Sequence, residues 1–331
     1  MKKIFFLLIV AFSHNVYAQN DIQTALELWR NGDIEKAKSI ADNILRCSPE
    51  NDTSVLLKMK ALFVSGNYKE VIKFAHKKSF LKNRPDAVNL MIDSYLHLHD
   101  YKSASEFADS YKSERSIFLN ELEKKPLKVI ATKTYIIPFK EDSAHTSNII
   151  PLTNMYINGV EKTVMFDTGA EFLIVGKKVA EELGIKCSNR GIGEHATSKT
   201  TIWHSIVDSL SFVNGPVFRN VPVVIMEDSP DLMIWGTNIL EQFLSTIDYP
   251  NRRFLLTPRN MKSLYREHLI CCRHSVKRAH FISGVAIICL QKENLQVMKV
   301  LTSFLIPACV PWLILTENLN KLLLLLQKKR L

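Results

Sequence analysis

Cysteine is scarce in this sequence, with six residues among 331. Only Cys47 and Cys187 fall in segments whose patterning indicates folded domains, and they could pair only across two domains. A disulfide framework within one small domain is therefore excluded. The spacing Cys-x-x-Cys does not occur, and the adjacent Cys271 and Cys272 cannot easily bind one ion in tetrahedral geometry. We therefore predict no metal site.

Aspartate is absent after residue 258, where 12 Lys and Arg stand against 3 Glu. The formal net charge of +10 is therefore concentrated in this C-terminal stretch. The first 258 residues carry 31 basic and 30 acidic residues and are nearly neutral. Binding to nucleic acid calls for a basic face on a folded domain, so the sequence predicts no nucleic-acid partner.

The tripeptide Asp-Thr-Gly occurs once, in Asp167-Thr168-Gly169-Ala170, between the apolar runs 164–166 and 172–175. Burying a charged oxygen costs on the order of several kcal/mol unless partners compensate. A carboxylate at the end of a buried strand, followed by a hydroxyl and a glycine in a tight turn, suits general acid/base chemistry. The alternative is a plain Asx-type turn after a strand.

The surroundings of this motif predict a β-rich domain. Residues 149–160 roughly alternate apolar and polar side chains, and Asn158-Gly159 is a strong signal for a type I′ hairpin. The return strand, residues 163–166, would present Asp167 at its end. Further predicted elements are a short helix over 177–183 that ends at Gly184, and strands at 200–207, 221–226, 246–249 and 253–256.

Residues 129–258 resemble a retropepsin-like aspartic protease domain of the kind found in bacterial cell-envelope proteins. The resemblance is carried by the order and spacing of Asp167-Thr168-Gly169-Ala170, Asp208-Ser209-Leu210, Phe218-Arg219-Asn220-Val221-Pro222-Val223, Ile234-Trp235-Gly236, Asn238-Ile239-Leu240 and Ile247-Asp248-Tyr249. It implies a retropepsin-like acid-protease β-barrel that hydrolyses peptides with activated water and needs no cofactor. The sequence departs from the family at Trp235, where a smaller aliphatic residue is usual.

The chemistry that the resemblance implies needs two carboxylates that share one proton. Asp208-Ser209-Leu210 and Asp228-Ser229-Pro230 lack the glycine, so no second motif is present in the chain. We therefore expect a homodimer in which Asp167 of each protomer meets its mate across a two-fold axis.

The resemblance also implies roles for the other site residues. Thr168 would hydrogen-bond across the dimer axis, Gly169 would let the backbone approach its mate, and Ala170 completes this loop. Gly191-Ile192-Gly193 would form the flap that closes on substrate, although a plain surface loop is the alternative. Ile234, Trp235 and Gly236 would pack beside the active-site loop.

The first 18 residues resemble a secretory signal peptide. Met1-Lys2-Lys3 precedes the apolar run 4–12, and Val16-Tyr17-Ala18 supplies small residues for cleavage. This pattern predicts a periplasmic or secreted, cell-envelope protein. The alternative is an uncleaved anchor.

Residues 19–125 predict an N-terminal α-helical repeat array. The segment that starts at Gly32 returns at Gly66 and again at His99, which is a period of about 34 residues. Such a period is typical of tetratricopeptide-like helix pairs, which often bind a protein partner on a concave face. A helical bundle without repeats is the alternative. Lys124-Lys125-Pro126 would end the helical part.

Residues 259–331 form a basic and apolar C-terminal extension. The uncharged run 300–316 is only marginally long enough to span a bilayer. The extension therefore either associates with a membrane, or is an unfolded addition to the chain; we favour the second interpretation.

The sequence thus predicts a multidomain protein, α plus all-β, with an aspartic endopeptidase domain at 126–258. The substrate would be a peptide or protein. The alternative is a catalytically inactive cell-envelope binding or scaffold protein that uses its helical repeats.

Overall fold

The computed structural model describes residues 21–76, 81, 83–141, 150–167, 169–195, 198–249, 251–264, 277–280 and 286–290. The predicted signal peptide and most of the C-terminal extension lie outside these residues. The described residues fall into two compact units that divide between Phe107 and Ala108. Within the described ranges, none of the helices has the length and apolar character required to cross a membrane.

The first unit is made of consecutive α-helices. They are α1 (21–30), α2 (Ile34–Cys47), α3 (Asp52–Val64), α4 (Tyr68–Ala75), α5 (Pro85–His97) and α6 (Tyr101–Ser110), the last of which contains the division between the units. The side chain of Asn51 caps α3 by accepting a hydrogen bond from the backbone N–H of Ser54 at 3.0 Å. Pro85 occupies the first turn of α5, where its missing N–H costs nothing.

The turns within the helix pairs repeat the same local geometry. Gly32, Gly66 and His99 have φ of 80°, 72° and 56°, which places all three in the left-handed region. In each turn this residue donates its N–H to the carbonyl three residues back, and the next residue donates to the carbonyl five residues back. Glycine suits such a helix end because it has no Cβ. The turns lie where the repeat predicts them, whereas the tetratricopeptide identity of the pairs stays a prediction.

The second unit is built on an eight-stranded sheet that closes on itself. Its strands are β1 (Lys128–Ile130), β3 (Leu152–Ile157), β4 (Val160–Phe166), β5 (Leu173–Gly176), β6 (Asn189–His195), β7 (Ser198–Phe212), β8 (Val217–Met226) and β9 (Met233–Trp235). The spatial order is β1-β8-β5-β9-β4-β3-β7-β6, and β7 also pairs with β8. This second pairing closes the sheet into a barrel, as the resemblance implies.

Aromatic side chains fill the interior of this barrel unit. The buried rings include Phe166, Phe212, Phe218, Phe243, Phe254 and Trp235. Trp235 has no exposed surface and lies with its ring centroid 4.5 Å from Phe166 and 4.9 Å from Phe254. Rings of this size contribute a large share of the buried apolar area that stabilises a core.

A second sheet lies in the same unit, in the order β12-β13-β10-β11-β2. Its strands are β2 (Tyr135–Pro138), β10 (Phe243–Asp248), β11 (Arg253–Pro258), β12 (Lys277–His280) and β13 (Ala286–Leu290). The short helices of the unit are α7 (Ser116–Lys124), α8 (Lys177–Glu182) and α9 (Thr237–Leu240).

The compact units and the predicted domain ranges divide the chain at different places, and the predicted ranges stay predictions. The sequence predicts α7 to belong to the helical array that ends at residue 125, and the division into compact units puts α7 in the second unit. The sequence predicts an extension after residue 258, and within this stretch β13 pairs in parallel with β10. Local helix and strand signals do not reveal this, because docking of α7 and pairing of β13 depend on partners that are distant in sequence.

Candidate active site

Asp167 directly follows β4, whose residues Val164 and Phe166 are buried, at the point where the strand leaves the barrel sheet. The predicted hairpin delivers it: Asn158 and Gly159 have φ of 49° and 83°, as a type I′ turn requires, and join β3 to β4. Asp167 itself is half-buried. The acid is therefore presented by a rigid strand.

The carboxylate of Asp167 is oriented by its own loop. The backbone N–H of Gly169 donates a hydrogen bond to Asp167 Oδ1 at 2.7 Å, and the N–H of Ala170 donates to the Asp167 carbonyl at 3.2 Å. The first contact is the hydrogen bond of an Asx-type turn, so the plain turn and the catalytic interpretation share this geometry. This backbone donor fixes the direction of one carboxylate oxygen. Thr168 lies outside the described residues.

The strand β9 closes the Asp167 loop from the other side. It lies between β4 and β5, in parallel register with β4, so that Phe166 is opposite Trp235. The N–H of Asp167 donates to the carbonyl of Trp235 at 3.2 Å. The structure therefore brings together the two motifs, 167–170 and 234–236, that the sequence predicts to form one site.

Gly236 allows the two segments to approach each other at backbone distance. A Cβ on Gly236 would lie 2.4 Å from the carbonyl oxygen of Ala170 and 2.6 Å from that of Phe172. Such distances are far below van der Waals contact, and both neighbours are backbone atoms. Only glycine fits here without moving the loop.

The departure at Trp235 does not crowd the loop with a ring. The backbone carbonyl of Trp235 accepts the hydrogen bond from Asp167, whereas the indole packs on Phe166, Phe212 and Phe254 in the core. The indole N–H is buried and has no hydrogen-bond partner among the described residues.

Two site residues were missed as functional candidates by the sequence reasoning. The N–H of Thr237 donates to the Ala170 carbonyl at 2.8 Å, and its hydroxyl donates to the same oxygen at 3.2 Å. The N–H of Asn238 donates to the carbonyl of Glu171 at 2.9 Å. The sequence signal that could have identified Thr237 and Asn238 is their position directly after Gly236. A close backbone contact at this glycine also brings the next residues against the loop.

Gly191, Ile192 and Gly193 lie in β6, which forms a hairpin with β7 rather than an irregular loop. Ile192 is 72% exposed, an unusual exposure for a large aliphatic side chain. The hairpin is a separate element from the Asp167 loop. Its role as a flap stays a prediction.

His204 lies in β7, opposite Asn189 at the root of this hairpin. Burial, with a smaller contribution from the charge of Arg115, lowers the pKa of His204 to about 3. The imidazole is therefore neutral near pH 7. Its Nδ1 is buried and has no hydrogen-bond partner among the described residues.

Metal-ligating side chains do not converge in the part of the chain that the structure describes. No group of three His, Cys, Asp or Glu side chains has the arrangement to hold an ion there.

Comparison with known families addresses the same segment. Residues 153–242 match the family model described as "gag-polyprotein putative aspartyl protease". The match supports a retropepsin-like aspartic protease domain. The matched range includes the Asp167 loop, the β6–β7 hairpin and residues 234–236.

Two solved structures are similar to part of the chain. A retropepsin-like aspartic protease from Rickettsia conorii is 22% identical, with 40% of this chain and 92% of that chain covered and a TM-score of 0.28. An EIAV protease complexed with an inhibitor is 18% identical, with 29% of this chain and 90% of that chain covered and a TM-score of 0.22. The search of curated proteins gives no match.

Proposed function

We propose that the chain is an exported aspartic endopeptidase in which Asp167 is the catalytic carboxylate. The observation that carries this proposal is the fixed geometry of the Asp167 loop. Gly169 N–H orients one carboxylate oxygen, and the backbone around Gly236 closes the loop from the opposite side. The match of residues 153–242 to an aspartyl protease family supports the class of chemistry.

The active form is a homodimer with one Asp167 from each protomer. Asp-Thr-Gly occurs once in the sequence, and the mechanism needs two carboxylates at close range. Because two adjacent carboxylates cannot both ionise, the pair holds one proton. The two-fold axis supplies the second carboxylate without a second motif in the chain.

Peptide hydrolysis then follows from the shared proton. The ionised Asp167 removes a proton from water as the water oxygen bonds to the scissile carbonyl carbon, and the protonated Asp167 gives its proton to the carbonyl oxygen. The Asp167 that accepted the water proton then gives it to the amide nitrogen, while the other Asp167 takes a proton from a hydroxyl of the tetrahedral intermediate, and the C–N bond breaks so that the amine leaves. The products are a carboxylic acid and an amine, and the dyad is returned to its starting state.

The β6–β7 hairpin acts as the flap over bound substrate. Its strand β6 carries the exposed Ile192 between two glycines, so an apolar side chain is available on a segment whose backbone can approach a peptide. Closure of such a hairpin excludes water other than the nucleophile.

Cleavage of a mixed peptide library by the full chain tests the proposal. We expect the wild type to cleave and Asp167→Asn to lose cleavage by at least about 1,000-fold, while light scattering gives a dimer for both. Asp208→Asn is the matched control, since Asp208 is exposed and the same charge is removed. An active Asp167→Asn protein, or an active strict monomer, contradicts the proposed dyad.

Mixed dimers give a second test of the two-fold site. Excess Asp167→Asn protein should suppress wild-type cleavage by exchange into dimers with one carboxylate, whereas excess Asp208→Asn protein should add activity. A wild type without cleavage across pH 4 to 8 would favour the inactive binding protein, with a partner held by the helical unit.

Export is proposed from residues 1–18, and a protein partner is proposed for the helical unit. N-terminal sequencing of the protein recovered from the cell envelope should begin at Gln19. An intact Met1 would contradict cleavage of the signal peptide.

A further inference from the structure

The helical corner before the retropepsin-like domain packs on the root of the β6–β7 hairpin. This corner, residues 113–124, consists of a turn and α7, and it belongs to the same compact unit as the hairpin. Asp167 follows β4, and residues 234–236 lie at β9, so neither belongs to the β6–β7 hairpin. The contacts between the corner and the hairpin are therefore not needed to form the Asp167 loop.

Two contacts join the corner to a single cross-strand pair. Asn189 Nδ2 donates a hydrogen bond to the backbone carbonyl of Glu114 at 2.6 Å. The ring of Phe118 lies 5.4 Å from the imidazole of His204, measured between centroids. Asn189 and His204 face each other across β6 and β7, so both strands are held at the same level.

Two of the side chains that make these contacts are buried. Asn189 is 3% exposed and Phe118 is 1% exposed. A buried amide that loses its hydrogen-bond partner is destabilising, so the hydrogen bond to Glu114 resists opening. Glu114 also reaches along β6, because a Cβ built on Gly191 would lie 3.6 Å from Glu114 Oε2.

The corner is itself braced against the end of α6. Asn120 Nδ2 contacts Asp109 Oδ1 at 3.1 Å and the carbonyl of Ser116 at 2.9 Å. The N–H of Ser113 donates to the carbonyl of Ala108 at 2.9 Å. The hairpin root is therefore attached to a corner with its own hydrogen bonds, and not to a free linker.

We infer that residues 113–124 act as a root clamp that positions the β6–β7 hairpin, with Asn189 and Phe118 as positioning residues. This inference rests on the proposed function only for the role of the hairpin as a flap. The contacts of the clamp lie at Asn189, Gly191 and His204, so they hold the base of the hairpin. A fixed base sets where the moving end, with Ile192, can meet a substrate.

Hydrogen exchange on the full chain tests the clamp without any need for activity. We expect Asn189→Ala and Phe118→Leu to speed exchange of the amides of residues 189–193 and 201–204 at least tenfold, with less than a twofold change in β3 and β4. Phe243→Leu is the matched control, because Phe243 is a fully buried ring in β10. It should produce no selective change in the hairpin.

Equal acceleration of the hairpin and of β3 and β4 in the two clamp variants would overturn the inference, since it would show general destabilisation. Selective acceleration of the hairpin by Phe243→Leu would overturn it as well. If the wild type cleaves peptides, the clamp variants should raise KM at least threefold and change kcat less than twofold. A wild type without cleavage refutes the proposed function, and the exchange data still decide the clamp.

Discussion

At the scale of single residues, the site depends on Gly236, which has no side chain. Gly236 and Ala170 come from segments 66 positions apart in sequence, and their backbones touch. The absent Cβ is what permits three hydrogen bonds from residues 237 and 238 to the Asp167 loop. A glycine there acts on the carboxylate without contacting it.

Gly236→Ala should therefore lower both stability and activity. The added Cβ would meet a backbone oxygen at 2.4 Å, and overpacking of this kind costs about 2 kcal/mol. Urea unfolding measures the loss. Gly191→Ala is the control, since its nearest atoms would lie at 3.6 Å and 3.8 Å, in ordinary contact. Equal unfolding midpoints for the two variants would contradict the argument.

His204 should make the second unit sensitive to acid. Its pKa is lowered by burial and by Arg115 to about 3, whereas the ordinary value is 6.5, so the unfolded chain binds a proton first as pH falls. The stability that neutral His204 provides is complete above about pH 6.5 and is lost progressively towards pH 3, by at most about 1.4 kcal/mol per pH unit.

His204→Phe keeps a ring beside Phe118 and removes this titration. The variant should lose less stability than the wild type when urea midpoints at pH 7 are compared with those at pH 5 and 4. Parallel pH profiles for the two proteins would show that His204 does not carry the effect.

At the scale of elements, the β3–β4 turn is tied to two other segments by one asparagine. Asn158 Nδ2 donates to the carbonyl of Leu183 at 3.0 Å, and Asn158 Oδ1 accepts from the N–H of Ser209 at 3.2 Å. Its φ of 49° is a conformation that asparagine tolerates. The turn that delivers Asp167 is thus anchored to β7 and to the end of α8.

Asn158→Gly should destabilise the protein by about 1–2 kcal/mol, because the positive φ is kept and both side-chain hydrogen bonds are lost. Asn214→Gly is the matched control: Asn214 is exposed and has φ of 56°. Thermal unfolding of the two variants compares them directly. A larger loss for Asn214→Gly would show that backbone entropy, rather than the hydrogen bonds, decides the cost.

Elements with local signals are the ones that the sequence predicts well. Asn158-Gly159 produces its hairpin, Lys177–Glu182 forms the helix that ends before Gly184, and the turns at Gly32 and Gly66 fall where the repeat places them. Each of these depends on residues within a few positions. Backbone conformation at such sites is set by the local chain.

What the sequence does not predict is long-range pairing. No local pattern shows that β9 inserts between β4 and β5, or that β13 joins β10. The sequence does not predict the contact of α7 with the hairpin for the same reason. Phe118 has the sequence pattern of any core residue in a helix. The outward or inward direction of the Trp235 ring likewise depends on Phe166, Phe212 and Phe254, which come together only in the fold.

At the scale of the whole molecule, the second sheet needs residues beyond the segment that resembles a protease. β13 pairs with residues Ser245, Thr246, Ile247 and Asp248 of β10. Removal of β12 and β13 would expose the N–H and carbonyl groups along this edge. Unpaired strand edges are sites of association between chains.

A chain that ends at residue 258 should therefore form larger assemblies than a chain that ends at residue 290. Light scattering over a range of protein concentrations compares the two. The same mass for both chains at every concentration would show that β13 does not protect the edge.

The contact of Gly236 with the Asp167 loop also determines when the site can form during protein synthesis. A ribosome adds residues 167–170 well before residues 234–238, so the emerging chain carries its acid in a loop whose closing strand does not yet exist. β2 can pair only later, because its partner strand β11 begins at Arg253. The site is therefore assembled only near the end of synthesis of the β-domain, which delays the appearance of an organised carboxylate until the barrel around it can close.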